Sequence, residues 1–512
     1  MTPVVEETVA AAPEWLRVVG IIVAAALAAT AVLGRGSGTR AWSMLAALAL
    51  TPVLLISQIW HTPQLDPVRE RPLVALGGGL IAAAIVVVPL AVLFHRRPAV
   101  LPLAALAALP FRIPVEAGGD DEVERDEQVR GLPAGALAWA VPRVRDPEAH
   151  DPPYANGALE WLLVGFVVLY ALQASYSRSV DIALEQTVFF YVPFALLFVL
   201  LREVEWSPRR LRAGLLVLVE LALLFVAVGF VEYATRTLLL NPKVIASNEL
   251  EEYFRVNSLF FDPNIYGRFL SLVMLGLAAV LLWEQRRRDV YVAAALLAVL
   301  WGGLVLTLSQ SSFAGLLAGL FVLAAMRFPV RRVAAGLLAV IILGLVVVLA
   351  FPSALRLDLG DAESLDDATS GRYELIRGGI DLARDRPITG WGSGAFAKAY
   401  LEEGFGLRRD AVSASHTIPL TVTAEQGLVG LALYIALLAA ALARLLSGAR
   451  GDPYRAFVAA GFVAVIVHTW MYAAFLEDPV TWALLAVGTS LAAARSASGA
   501  RGTPAAVPAA SA

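Results

Sequence analysis

The chain has 512 residues, 59% of them apolar and only 16% charged, against roughly 25% charged in an ordinary soluble domain. With a mean hydropathy of +0.71, it carries too little polar surface for a large soluble domain. Its 40 basic and 43 acidic residues leave a formal charge of −3, too even a balance to suggest a nucleic-acid partner, and the absence of cysteine excludes disulfides, thiolate nucleophiles and cysteine-ligated metals.

The segment from Met1 to Glu14 is acidic, with no basic n-region and no A-x-A site, so no cleaved signal peptide is expected. Beyond it, runs that are apolar on every face and bounded by Arg, Pro or Asp read as spanning helices. They cover residues 18–33, 41–60, 72–94, 98–111, 158–174, 180–201, 211–231, 262–282, 290–308, 310–326, 333–351, 417–444, 456–474 and 480–494. A span must satisfy its own backbone hydrogen bonds, and no alternating decamers of a barrel appear. The fold class expected is therefore all-α: a polytopic integral membrane protein with about 13 to 15 transmembrane helices, and one large outward-facing loop with short amphipathic helices.

The expected organisation is N-terminal transmembrane helices (1–111), a polar insertion (112–157), central transmembrane helices (158–351), an outward-facing catalytic loop (352–415), C-terminal transmembrane helices (416–494) and a disordered tail (495–512). Arg202, Arg209 and Arg210, Arg286 to Arg288, Arg327, Arg331 and Arg332, Arg444, Arg450 and Arg455, and Arg495 and Arg501 fall on one side, which the positive-inside rule makes cytoplasmic. With fourteen spans, Arg35, Arg40, Arg96 and Arg97 would land outside, so one crossing is miscounted. Either 98–111 does not span, or Gly131 to Val141 crosses as well. Only Lys243 and Lys398 are lysines; that arginine bias, with abundant Ala, Gly and Val, fits a GC-rich bacterial genome, and the location expected is a bacterial plasma membrane.

The 352–415 loop has 11 acids and 8 bases and is patterned rather than low in complexity, and a loop of this length between spans is functional or disordered. Ser370 is a plausible N-cap, and Tyr373, Ile376, Ile380 and Ala383 repeat at helical spacing up to Pro387, predicting an amphipathic helix with Arg372 and Arg377 on its opposite face. A glycine-rich turn, Gly390-Trp391-Gly392-Ser393-Gly394, and a short helix through Phe396 and Tyr400 follow.

His416 ends this loop just before a span and is followed by Glu425 near the head of the same helix; a base there is one reading, a hydrogen-bonded interfacial histidine the other. His61, His95, His150 and His468 read as loop or helix-packing residues. Arg255, Arg268, Arg372 and Arg377 lie on the side where the positive-inside rule disfavours them. A diphosphate calls for forked, permanently charged donors; surface pairs with Glu251, Glu252, Glu374 or Asp381 are the competing explanation. Glu220 sits mid-span, where a carboxylate is expensive, while Asp181 and Glu185 are nearer an end. Gly302, Gly303, Gly315 and Gly319 permit close helix packing. There is no Walker A, HExxH, G-x-S-x-G or Asp-x-Asp motif.

Four segments, in this order, resemble the O-antigen ligase and polymerase-type family of bacterial membrane glycosyltransferases. They are Phe261-Asp262-Pro263-Asn264 opening a span; Thr307-Leu308-Ser309-Gln310-Ser311 between two spans; Gly371-Arg372-Tyr373 through Asp385-Arg386-Pro387-Ile388-Thr389-Gly390-Trp391-Gly392; and His416 through Glu425-Gln426-Gly427-Leu428-Val429-Gly430. The resemblance covers about 255 to 435. It implies a GT-C-like helical fold and transfer of a glycan from a polyprenyl-diphosphate carrier to a sugar acceptor at the outer face, without cofactor or metal. Arg372 matches the family's loop arginine and His416 its loop histidine. Where the family commonly shows Ser-Arg-Gly or Ser-Arg-Ser, this chain has Ser309-Gln310-Ser311, which shifts donor recognition toward Arg255 or Arg268. The expected catalytic set is thus His416, Arg372 and Glu425, with Arg255, Arg268, Arg377, Asn264 and Gln310 binding substrate. The partners expected are the polyprenyl-diphosphate-linked glycan, the sugar acceptor and the lipid bilayer. The alternatives are a proton-coupled transporter working through Glu220, or a non-catalytic scaffold of a polysaccharide assembly complex.

Overall fold

The computed structural model describes residues 13–60, 65–116, 122–126, 128–150, 155–240, 244–245, 248, 253–350, 372–405, 415 and 417–501. In chain order the helices are α1 (Glu14–Leu33), α2 (Ser37–Ile59), α3 (Asp66–Glu70), α4 (Pro72–Arg96), α5 (Val100–Ala108), α6 (Gln128–Arg145), α7 (Ala158–Gln173), α8 (Val180–Gln186), α9 (Val192–Arg202) and α10 (Pro208–Thr235). They continue with α11 (Pro263–Trp283), α12 (Arg287–Thr307), α13 (Gln310–Arg327), α14 (Val330–Ala350), α15 (Arg372–Asp385), α16 (Phe396–Glu402), α17 (Ile418–Leu446), α18 (Pro453–Trp470) and α19 (Pro479–Arg501). A π-helical turn, Thr187–Tyr191, joins α8 to α9 into one apolar rod. Among the described residues, ten helices are long and apolar enough to cross a membrane. The protein is a polytopic, multi-pass membrane protein built of helices.

Three of the long helices begin by one local rule. Ser207 before Pro208, Asp262 before Pro263 and Asp452 before Pro453 each accept a hydrogen bond from a first-turn backbone N–H. Proline follows at the position where its missing N–H costs nothing. The sequence therefore sets where these helices enter, independently of tertiary packing.

Among the described residues, the one departure from an all-helical fold is a short antiparallel pair, β1 (Arg112–Glu116) and β2 (Glu122–Asp126), with Val115 opposite Val123. It lies in the stretch 112–157 expected to be a polar insertion, whose later part is helical. From Gln128 onward the segment is α6, which packs against α2, α4 and α9 and buries Leu132, Ala134, Ala136, Trp139 and Ala140. Small apolar residues at helical spacing outweigh the two internal prolines.

This packing addresses the miscounted crossing. Glu203 at the end of α9 pairs with Arg40 at the start of α2 (2.7 Å) and with Arg143 near the end of α6 (2.8 Å). Arg202 pairs with Glu160 in the first turn of α7 (3.1 Å), and Ser37 Oγ donates to the Pro147 carbonyl (2.7 Å). Arg40, Arg143 and Arg202 thus share one end of the bundle, the basic end. The run 98–111 contains only a nine-residue helix, α5, too short to span alone.

Among the described residues the core has three apolar clusters, and the two larger ones meet along α18. Val458, Phe462 and Val465 face the cluster built with α1, α7, α9 and α17, while Ala456, Ala460 and Ala464 face the cluster of α10 to α13. Gly315 and Gly319 bring α13 close to α18: a Cβ added at Gly315 would lie 2.8 Å from the Ala464 carbonyl oxygen. Small residues at such crossings let helices gain dispersion contact where no hydrophobic drive exists. Glu220 lies on the exposed face of α10, not toward the bundle interior.

Candidate active site

The end opposite the arginine-rich loops gathers the starts of α11, α13, α15 and α17 and the end of α18. Asp262 caps α11 and accepts from the Tyr472 hydroxyl (2.9 Å), while Ser309 caps α13. The two caps are tied together, because Ser309 Oγ donates to Asn264 Oδ1 (2.8 Å). Ser312 Oγ donates to the Asn264 carbonyl (3.2 Å), which His468 Nε2 also contacts (3.1 Å). Ser311 Oγ lies 3.2 Å from the same His468 nitrogen. Two helix N-termini, each with unpaired backbone N–H groups and a positive dipole end, are therefore held side by side.

Arg255 completes this corner. Its Nε donates to the Thr307 carbonyl (3.1 Å) and its Nη2 to Asn264 Oδ1 (3.4 Å), while Asn248 brackets its backbone N–H and C=O at 2.9 Å each. The half-buried guanidinium is thus fixed beside the Ser309 turn. Gln310, at the position where the resembling family commonly carries arginine, is exposed at the start of α13. A cation is present at this turn, supplied by the loop before α11.

Arg268 does not join that surface. It is buried within α11 and forms an ion pair with Asp478, itself buried. Its charge is compensated inside the bundle, so the expectation that it recognises a substrate anion is corrected to a structural pairing between α11 and the turn preceding α19.

The loop helix forms as the sequence predicts, but its buried stripe is shifted. Leu375, Gly378, Gly379 and Leu382 face inward, whereas Ile376 and Ile380 are exposed. Glycine is the reason. A Cβ at Gly378 would lie 2.4 Å from Tyr400 and one at Gly379 3.0 Å from Leu420, so the helix seats a glycine notch on the rings of α16 and on α17. Ile376 and Ile380 are left outward beside the exposed Arg377. Arg372 opens the helix, but its side chain lies outside the described residues.

Behind the helix, two glycine-bearing motifs clasp each other. The Trp391 and Gly392 backbone N–H groups donate to the Ala424 and Glu425 carbonyls (3.0 and 2.8 Å), and the Leu428 N–H to the Pro387 carbonyl (2.8 Å). Gln173 bonds the carbonyls of both strands, Thr389 and Gln426 (3.3 and 3.2 Å). The contact works because Gly390 (φ +68°) and Gly427 (φ +68°) carry no side chain: a Cβ on Gly427 would sit 2.1 Å from the Ile388 oxygen. Arg386 and Arg178 lie against the Trp391 ring, 4.1 and 5.6 Å from its centroid.

Glu425 is buried and accepts from the Phe396 backbone N–H (3.1 Å), at the start of α16. Its carboxylate therefore meets the first turn of α16 beside the clasp. His416 lies outside the described residues. Both its neighbours are described: Ser415 is buried and donates to the Thr417 carbonyl (2.8 Å), and Thr417 Oγ1 donates to the Trp470 carbonyl at the end of α18 (3.2 Å). The chain on either side of His416 is therefore anchored next to the helix end that carries His468.

Several members of this end are missed by sequence reasoning. His468 reads as a packing residue in an apolar run, and it is indeed buried, yet it is the hydrogen-bonded hub between α11 and α13. Asp478 and Tyr472 sit in a short turn with no motif, and only their long-range pairing with Arg268 and Asp262 reveals them. Arg178 has no sequence signal beyond its charge on the loop side.

Comparison with known proteins gives one positive finding. Neither the curated proteins nor the solved structures yielded a match to this chain. A family model described as O-Antigen ligase matches residues 295–435, a stretch holding α12 through most of α17 with the Ser309 turn, the loop helix and the glycine clasp. Over residues 295–435 the chain is therefore similar to the O-antigen ligase family; the match does not extend to the helices on either side.

Proposed function

We propose that the protein is a membrane glycosyltransferase that moves or polymerises a glycan from a polyprenyl-diphosphate carrier onto a sugar or lipid-sugar acceptor at the outer face of a bacterial plasma membrane. The observation that carries this reading is the corner where Arg255 meets the N-termini of α11 and α13 at Asn264 and Ser309. A fixed guanidinium and helix N-termini suit an oxyanion whose charge grows as it leaves. In the reaction, the bond between the anomeric carbon and the diphosphate oxygen breaks and the acceptor hydroxyl forms the new glycosidic bond. The hydroxyl proton passes to a base, for which His416 is the residue of choice. Arg255 and Arg372 hold the diphosphate, with Arg377 of the loop helix as a further cation. Glu425 acts through the clasp.

Glu220 on the outer surface of its helix gives no support to a proton path through the bundle. The test is direct. Purified protein in detergent receives a polyprenyl-diphosphate-linked glycan with and without a sugar acceptor. The account expects glycosylated acceptor and free polyprenyl diphosphate in equal amounts. An intact donor under every acceptor condition, from protein that still binds it, would overturn the reading.

A further inference from the structure

At the basic end a second feature stands apart from the candidate active site. A cleft of about 600 Å³ opens between α10, α11, α12 and α18. Its walls are apolar, with Leu218 and Val219 of α10 facing Phe269, Val273 and Gly276 of α11. Along α11 it reaches from Trp283 to Phe269, roughly 21 Å at 1.5 Å per residue, which is more than half of a hydrocarbon core of about 30 Å. Protein interiors leave few voids larger than a water molecule, so an apolar void of this size, in a bundle bathed by lipid, calls for a chain-like apolar occupant.

The mouth says which kind. It is lined by two cations, Arg212 and Arg286, and two acids, Glu284 and Asp289, with Trp206 and Tyr454 alongside. Aromatic residues at this depth mark the interface between hydrocarbon and headgroups. The Glu284 carboxyl is held below its ordinary value by the Arg286 and Gln285 backbone N–H groups, with further help from the Arg286 and Arg212 charges, so the mouth carries an ionised acid as well as its arginines. An anionic headgroup would satisfy the arginines and leave the acids opposed. A headgroup with phosphate and ammonium satisfies both.

We propose that this cleft binds one amine-bearing zwitterionic phospholipid of the adjoining leaflet, its chain between α10 and α11, its phosphate on Arg212 and Arg286, and its ammonium on Glu284 and Asp289. By the arginine rule that leaflet is the cytoplasmic one. The assignment does not depend on the transfer chemistry. The cleft ends at Phe269, one residue beyond the paired Arg268, so the donor's isoprenoid tail is the competing occupant.

The test uses the full chain purified in detergent and native mass spectrometry. Phosphatidylethanolamine, phosphatidylglycerol and phosphatidylcholine of identical chains, together with a long isoprenyl phosphate, are offered in equal amounts. The expected result is one retained phosphatidylethanolamine, favoured about tenfold over the others, as one charge-assisted hydrogen bond would give. Glu284→Gln with Asp289→Asn, both at the surface, should remove that preference in favour of phosphatidylglycerol. Leu218→Trp, or Val280→Phe if the first fails to fold, should lower retention of every phospholipid. Preference for the isoprenyl phosphate, equal retention of the three phospholipids, or retention unchanged by the charge and filling variants would overturn the proposal. Because the readout is retained lipid rather than glycan transfer, failure here is distinguishable from failure of the glycosyltransferase reading.

Discussion

Gly427 sits at φ +68°, ψ −169° inside α17, a backbone region open essentially to glycine alone. Gly427→Ala should cost about 1–3 kcal/mol from that conformation. The added Cβ would also lie 2.1 Å from the Ile388 oxygen, so one backbone must retreat. Retreat stretches the Leu428 to Pro387 and Gly392 to Glu425 hydrogen bonds, both 2.8 Å, each worth roughly 1 kcal/mol. A total of about 3 kcal/mol or more follows. Two other glycines separate the causes. Gly404 has φ +78° but nothing within 4 Å, and Gly336 is helical with open space around it. Thermal unfolding in detergent should rank Gly336→Ala at or above the wild type, Gly404→Ala slightly below it, and Gly427→Ala clearly lowest. Glycan transfer should fall with the last, since Glu425 and α16 hang on the clasp. A Gly427→Ala protein that melts with Gly404→Ala would refute the clasp as the element that seats the loop.

The remaining expectations concern charge. Arg255→Ala should weaken use of the lipid-linked donor by about 10- to 100-fold, the worth of a charged hydrogen bond of roughly 1.5–3 kcal/mol, with Arg255→Lys only partly restoring it because the fork is lost; kcat/KM with varied donor is the measure. Arg268→Ala should destabilise the protein by about 3–5 kcal/mol by stranding buried Asp478, while the joint change Arg268→Met with Asp478→Leu should recover most of that in thermal unfolding. Glu220→Gln should leave both transfer and melting temperature near wild type, since the side chain lies on an exposed helix face; solute flux in vesicles that stops on this change would favour transport instead.

What could be read from the sequence was whatever depends on local physics. Spans follow from runs that are apolar all round, and helix starts from cap and proline pairs such as Asp262-Pro263. The helix over 372–385 was legible, yet its buried face was not. Periodicity counts isoleucines and cannot know that Gly378 and Gly379 receive the ring of Tyr400 and the side chain of Leu420. The same limit left the stretch around Gly131 to Val141 open between a solvated insertion and an apolar crossing, because its buried alanines sit among prolines and flanking charge. At the site, Arg255 and Arg268 carry equal weight in sequence; only the Asp478 partner, 210 residues further on, separates a paired core arginine from one held beside the Ser309 turn. His468 was legible as a packing residue but not as the hub it forms, because its partners Asn264 and Ser311 come from two other helices, α11 and α13.

The central claim is that His416 activates the acceptor while arginines at the same end hold the donor diphosphate. Binding and turnover of the lipid-linked donor, measured side by side on wild type and His416→Ala, test it most directly. The account predicts near-normal donor affinity with transfer lowered about 10²- to 10⁴-fold, the usual contribution of a general base. Full transfer by His416→Ala would contradict it.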